Sequence, residues 1–264
     1  MGFIMPERLL YRAKQVCDAA ILFLSHDSTR HRTLAKLLTA VSAQLLPFVT
    51  DRHLRRIDPL IAGRYYRALQ LVDTVLTAHD IAYWMEGGTL LGAVRHAGLI
   101  PWDDDADVQF FQRDVQRLLA LGSVFDAYGY TLIESSAGGY KLFPNSGIAI
   151  AGRHWRYPFV DLFAMATEAE TEFIHYVDRS LRQKWAAGYF LQGELLPLVR
   201  RPFGPLQLPA PRECRSYLKR LFGNDWNDVA YVDWDHRREV RIRPVRVRLV
   251  DRSPAAYVLP GPQP

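Results

Sequence analysis

Four aspartates follow a double glycine in the stretch Glu86-Gly-Gly-Thr-Leu-Leu-Gly-Ala-Val-Arg-His-Ala-Gly-Leu-Ile-Pro-Trp-Asp-Asp-Asp-Ala-Asp107. Backbone N–H groups at a helix start can hold an anion, and clustered carboxylates can hold Mg²⁺. Those are the two halves of a metal-assisted phosphoryl-transfer site. Asp105 and Asp107 lie in Asp105-Ala-Asp107-Val-Gln-Phe-Phe111, which reads as a strand. Residues two apart on a strand share a face, so the two carboxylates would point the same way, about 6–7 Å apart at the backbone. Like charges held side by side are unfavourable without a cation between them. Asp103 and Asp104 either add to that charge or form a solvated turn.

A third carboxylate completes such a shell, and Asp161 fits. It is the only charge in Tyr157-Pro-Phe-Val-Asp-Leu-Phe-Ala-Met165. Left unpaired in an apolar run, it would cost on the order of several kcal/mol, so it calls for a metal or a basic partner such as an arginine.

On the anion side, Ile81 to Glu86 reads as a buried strand closed by a tight turn at Gly87-Gly88. Thr89 to His96 reads as a helix, with Thr89 its N-cap and Gly98 and Pro101 ending it. Glycine suits a turn where a Cβ would obstruct a phosphate; a strand-to-helix turn with no ligand is the plainer reading. Arg95 could grip a phosphate bidentately or pair with Asp103 or Asp104. Lys141, between Tyr140 and Leu142, is a candidate for neutralising phosphate charge, or else an edge lysine. His96 reads as a helix-end histidine, and Trp84 and Trp102 as core.

Gly88-Thr-Leu-Leu-Gly-Ala-Val-Arg95, followed by Ile100-Pro-Trp-Asp-Asp-Asp-Ala-Asp107, resembles the signature of the LicD/fukutin-related family. Val160-Asp-Leu-Phe163 looks like that family's third-aspartate strand. Arg201-Pro-Phe-Gly-Pro-Leu-Gln-Leu-Pro209, Tyr217-Leu218 and Phe222-Gly-Asn-Asp-Trp226 are similar to its C-terminal blocks, so the likeness covers roughly residues 65–230. The resemblance implies a nucleotidyltransferase-type fold that moves a phospho-alcohol from a CDP-activated donor to a hydroxyl of a cell-surface glycan. Phosphocholine is the usual group in bacterial members, and ribitol phosphate in animal ones. It further implies that the glycine turn of Gly87, Gly88 and Thr89 holds donor phosphate, while Asp105, Asp107 and Asp161 hold Mg²⁺, or Mn²⁺ in its place. Asp161 or a neighbouring carboxylate would then take the proton of the acceptor hydroxyl. Phe222-Gly223 stands where the family commonly has Tyr-Gly. There is no Cys/His cluster like the zinc site of the animal relatives, and the acceptor-side regions are unmatched.

The elements that must position these groups follow from periodicity. Arg8–Leu24 and Thr33–Leu46 carry helical apolar spacing, giving an N-terminal helical extension over residues 1–60. It would cap the catalytic core or dock on a membrane or partner, since glycan acceptors are often lipid-linked. Arg64–Ala78 and Arg113–Tyr128 read as helices, Tyr130–Ile133 and Tyr140–Phe143 as strands, Phe173–Arg201 as one or two helices, and Cys214–Phe222 as another. Strand and helix alternate, so the fold expected is α+β, a mixed sheet flanked by helices. Its catalytic domain would span residues 61–252, with a disordered tail over 253–264. Seven arginines lie in residues 237–252, and their period-two spacing suggests a strand with an exposed basic face.

With 264 residues and 49% hydrophobic content, the chain can bury one sizeable core. No apolar run is long enough to span a bilayer, and no signal-peptide pattern is seen. Cys17 and Cys214 lack metal spacing and read as reduced thiols, which suits a cytoplasmic protein, in one version peripheral at the inner face of the membrane. The net charge of +5 suits anionic partners, and the absence of zinc-finger or RNP-like patterns argues against nucleic acid. Three rivals remain. A metal-dependent glycosyltransferase also uses an Asp-x-Asp pair. An isoprenoid synthase matches Asp103-Asp104-x-x-Asp107 but requires an all-helical fold. A non-catalytic glycan-binding relative is the third.

Overall fold

The computed structural model describes residues 6–25, 32–135, 138–168 and 171–261. In chain order its elements begin with α1 (Glu7–Ser25), α2 (Arg32–Leu45), α3 (Pro59–Ala78), β1 (Tyr83–Met85), α4 (Gly87–Arg95) and β2 (Asp107–Phe111). There follow α5 (Val115–Ala120), α6 (Gly122–Ala127), β3 (Tyr130–Glu134), β4 (Tyr140–Pro144), β5 (Ile148–Ala149), β6 (Arg156–Tyr157) and β7 (Val160–Thr167). Next come β8 (Phe173–Tyr176), α7 (Arg179–Lys184), β9 (Phe190–Leu191), α8 (Gln192–Leu195), β10 (Val199–Phe203) and β11 (Leu206–Ala210). The last are α9 (Arg215–Phe222), β12 (Val229–Asp235) and β13 (Val240–Arg248). They form two units interleaved in sequence: residues 1–55 with 225–252, and residues 56–224 with 253–264.

In the larger unit a mixed sheet runs in the order β1-β2-β7-β4-β3. The β2–β7 pair is parallel, and β1–β2, β4–β7 and β3–β4 are antiparallel. β7 is central because its run Val160-Asp-Leu-Phe-Ala-Met165 can be covered on both faces; Val160, Leu162 and Met165 are fully buried. Trp84, Phe110 and Phe159 share the core with Tyr65 and Tyr66 of α3. Each large apolar side chain so buried contributes about 1.5–3 kcal/mol. Asp58 starts α3, its carboxylate accepting the Leu60 N–H at 2.8 Å with Pro59 in the first turn.

Three expectations are corrected here. Phe173–Arg201 does contain two helices, the short α7 and α8, but strand is interleaved with them, because the alternating Phe173-Ile-His-Tyr176 run continues the sheet from β7. The helix expected over Arg113–Tyr128 breaks at Leu121, which closes α5 through its N–H to Leu118. The tail does not lack order over 253–261. Ala255 and Val258 donate backbone N–H bonds to Leu99 and Pro59, and Tyr257 packs edge-on against Tyr66 with centroids 4.8 Å apart. Gly63 makes this possible, since a Cβ there would lie 1.8 Å from the Val258 carbonyl oxygen.

In the smaller unit the β12–β13 ribbon packs through β13 against α1, and α1 packs against α2. Lys14 is buried and donates to Asp18 at 3.1 Å and to Ser42 at 2.7 Å, which ties α1 to α2. Asp18 also accepts the Arg246 N–H at 2.9 Å, tying the helices to β13. The arginine-rich segment is indeed a strand, with Arg241, Arg243, Arg246 and Arg248 exposed and Val245 and Val247 buried.

Candidate active site

The site residues gather where β1, β2 and β7 meet α4. Met85 ends β1, Glu86 is the extended N-cap residue of α4, and Gly87 takes a φ of +48° to turn the chain into the helix. Glycine adopts that conformation without the penalty other residues pay. Thr89 is therefore not the N-cap expected from sequence. It sits inside the first turn, and its hydroxyl accepts the Asp107 N–H at 2.8 Å, locking the helix start to β2. Glu86 N–H donates to the Asp107 carbonyl at 3.3 Å.

Asp107 begins β2, and its register partner on the parallel strand β7 is Asp161. The two aspartates thus lie side by side near the starts of adjacent strands. Asp105 lies before the strand, not on it as expected, so its placement comes from the Asp103-Asp104-Asp105 loop. Asp103 and Asp105 face the glycine turn: a Cβ on Gly88 would lie 2.7 Å from Asp103 Oδ2 and 3.9 Å from Asp105 Oδ1. The positive end of α4 explains this, because helix N-termini attract carboxylates. Tyr65 holds the loop by donating to the Asp104 carbonyl.

Burial pushes the Asp107 carboxyl well above its ordinary range, and the charges of Asp105, Glu86, Asp161 and Asp103 push it further. Glu86, fully enclosed, is pushed up to about 7 by desolvation. The phenols of Tyr217 at 2.7 Å and Tyr176 at 3.1 Å donate to its two oxygens and partly oppose that rise. The cluster is thus rich in negative charge that a cation would relieve.

One cation is already in place. Lys141, the register partner of Asp161 across β4 and β7, donates to both of its oxygens at 2.6 and 2.9 Å. Its ammonium also lies 3.8 Å from the Phe159 ring centroid and 5.0 Å from that of Trp155. From sequence Lys141 reads as a phosphate-neutralising or an exposed edge lysine, and Asp161 as held by a metal or a basic partner; Lys141 is buried, and it is a basic partner of Asp161. Arg95 is buried at the end of α4, its guanidinium carbon 5.9 Å from the Trp102 ring centroid and its Nε 3.4 Å from His96 Nδ1. Arg95 thus stacks at the far end of α4 from the glycine turn.

The donor set suits a divalent ion that keeps open positions. Asp105, Asp107 and the outer lone pairs of Asp161 are hard oxygen donors, and Mg²⁺ is ordinarily held by one or two carboxylates with water and phosphate completing the shell. Among the described residues no group of three or more His, Cys, Asp or Glu side chains is arranged to hold a metal ion as it stands.

Sequence reading gave no role to Glu86, Tyr176, Tyr217 or Trp155. Glu86 carried a usable signal, being a lone carboxylate at the end of an apolar strand, the same argument that singled out Asp161. The tyrosines come from distant segments and carried none. Trp155 is buried, and its indole N–H has no hydrogen-bond partner among the described residues.

A family model described as LicD/FKTN/FKRP, nucleotidyltransferase domain, matches residues 80–213, which contain every residue of this site except Tyr217 and Tyr65. An uncharacterized protein of Rickettsia prowazekii (strain Madrid E) is 31% identical over 181 residues, 69% of this chain and 62% of that protein. Ribitol 5-phosphate transferase FKRP of Mus musculus is 32% identical over 157 residues, 56% of this chain and 29% of its own length. Lipopolysaccharide cholinephosphotransferase LicD of Haemophilus influenzae is 51% identical over 41 residues, 16% of each chain. The chain therefore spans less than two thirds of the length of each of these relatives.

Proposed function

The chain belongs to the LicD/FKTN/FKRP family, and on that footing we propose that it is a transferase that moves a phospho-alcohol from a CDP-activated donor to a hydroxyl of a glycan. The observation that carries this reading is the parallel pairing of β2 and β7, which puts Asp107 next to Asp161, with Asp107 beside the glycine turn of α4. Phosphocholine is the first group to test, given the 51% identity to the cholinephosphotransferase segment, and ribitol phosphate the second, given the 32% identity to FKRP.

In this reading Asp105, Asp107 and Asp161 hold Mg²⁺, with Mn²⁺ an acceptable substitute. When bound, the ion supplies electrostatic stabilisation of charge on the transferred phosphoryl group and the departing nucleotide. The protein's own part is positioning. The glycine turn faces carboxylates (Asp103 and Asp105), so an anionic donor approaches Gly87, Gly88 and Thr89 only with positive charge between. Lys141 fixes the Asp161 carboxylate and keeps one positive charge beside the reacting phosphate. The acceptor proton passes to Asp161 or a neighbouring carboxylate of this cluster.

The test is calorimetric titration with CDP-choline, CDP-ribitol and UDP-glucose, with and without Mg²⁺. Mg²⁺-dependent binding of one CDP-alcohol, lost in Asp107→Ala, is the expected result. Binding of UDP-glucose alone would replace this reading with a glycosyltransferase, and binding of none would leave another donor or a non-catalytic relative.

A further inference from the structure

The smaller unit carries a feature that the proposed transfer reaction does not use. On α1, Leu9, Val16 and Phe23 recur every seven residues and are all exposed, Phe23 by 75%. The inward side of the same helix is occupied by Leu10, Lys14, Cys17 and Ile21. On α2, Leu34, Leu37 and Val41 form a second exposed stripe, and Phe48 stands exposed just beyond its end. Exposed apolar residues scattered singly are ordinary, but two helical stripes in one hairpin mark an interaction surface.

Charge indicates what covers it. Residues 1–55 and 225–252 hold 15 of the 33 lysines and arginines and 10 of the 28 aspartates and glutamates. The chain's entire +5 is therefore carried by this unit, and the other is formally neutral. Arg8 and Arg12 are exposed beside the α1 stripe, where long basic side chains can lay their stems along apolar surface and keep their charge in the headgroup layer. A second copy would bring the same positive unit against itself, whereas an anionic bilayer is complementary in both charge and hydrophobicity. Among the described residues no helix is long and apolar enough to cross a membrane.

We propose that the α1–α2 hairpin is a peripheral docking surface for an anionic lipid bilayer. Leu9, Val16, Phe23, Leu34 and Leu37 enter the interface, and the basic residues of the unit meet lipid phosphates. The inference does not depend on the chemistry of the catalytic site.

The full chain is sedimented with vesicles of phosphatidylglycerol mixed with phosphatidylcholine, and with vesicles of phosphatidylcholine alone. Binding is expected only to the anionic vesicles, weakened by high salt, and weakened about tenfold in Phe23→Ser and again in Leu37→Ser. Both side chains are exposed, and far-ultraviolet circular dichroism checks that the helices persist. Val16→Ser serves as the second reporter on α1 if either variant loses helix. Failure of the wild type to bind anionic vesicles, or equal binding by the folded variants, overturns the proposal. Light scattering that shows a dimer lost in Phe23→Ser, without vesicle binding, would assign the surface to a second copy instead.

Discussion

Lys141 and Asp161 are register partners across β4 and β7, and the lysine ammonium donates to both oxygens of the carboxylate. Their side chains are 6% and 14% exposed, so this is a buried pair. Its removal on one side only should be costly, because the other charge is left uncompensated. Lys141→Met is expected to destabilise the protein by about 3–5 kcal/mol in urea denaturation, and Lys141→Met with Asp161→Leu to recover much of that loss. Additive effects in this double-mutant cycle would show that the pair is not coupled.

Asp107 should separate function from folding. Asp107→Asn and Asp105→Ala are expected to abolish turnover with the donor identified by calorimetry while leaving a cooperative thermal transition. Asp107→Asn should also raise the melting temperature of chelator-treated protein, since it removes one of several crowded negative charges. Wild-type turnover in either variant would remove the metal assignment.

Glu86 gives a pH dependence of unusual sign. Its carboxyl is pushed up to about 7 in the folded protein by burial, against about 4.3 in an unfolded chain. Between those values the native state binds more protons than the unfolded one, so stability falls as pH rises through that interval. The melting temperature of chelator-treated protein should decline from about pH 5 to about pH 7.5. Glu86→Gln should flatten the decline, leaving the share due to Asp107, which has the same sign. A profile that rises over this range would contradict the dominance of burial at this carboxylate over the two phenol hydrogen bonds that oppose it.

Gly63 tests the C-terminal strap. Gly63→Ala places a methyl group 1.8 Å from the Val258 carbonyl oxygen, so the strap must move or detach. A loss of about 1–3 kcal/mol is expected, together with faster proteolysis near Val258. Unchanged cleavage and stability would mean that the strap is not held at this point.

Much of the site was legible in the chain because its key residues are local. The glycine turn, Asp105 and Asp107 lie within one short stretch, and Asp161 announced itself as a lone charge in an apolar strand. The same locality misled at the edges. Thr89 has the composition of an N-cap, yet the chain turns two residues earlier because Gly87 can take a positive φ. Asp105 alternates with Asp107 in sequence, but the strand starts only where β7 offers a partner, at Asp107.

The sequence by itself determined the mixed α+β class, the helical N-terminal segment, the glycine turn and the carboxylates of the candidate site. These are set by local propensity and by the solvation cost of each residue, which act over short stretches of chain. Only the tertiary structure decided that Asp161 faces Lys141 instead of an arginine, that Tyr176 and Tyr217 enclose Glu86, and that Phe173–Tyr176 extends the sheet. It also decided that the arginine-rich strand belongs with the N-terminal helices. Each of those is a pairing between distant segments, fixed by sheet register and by the need to give every buried polar group a partner.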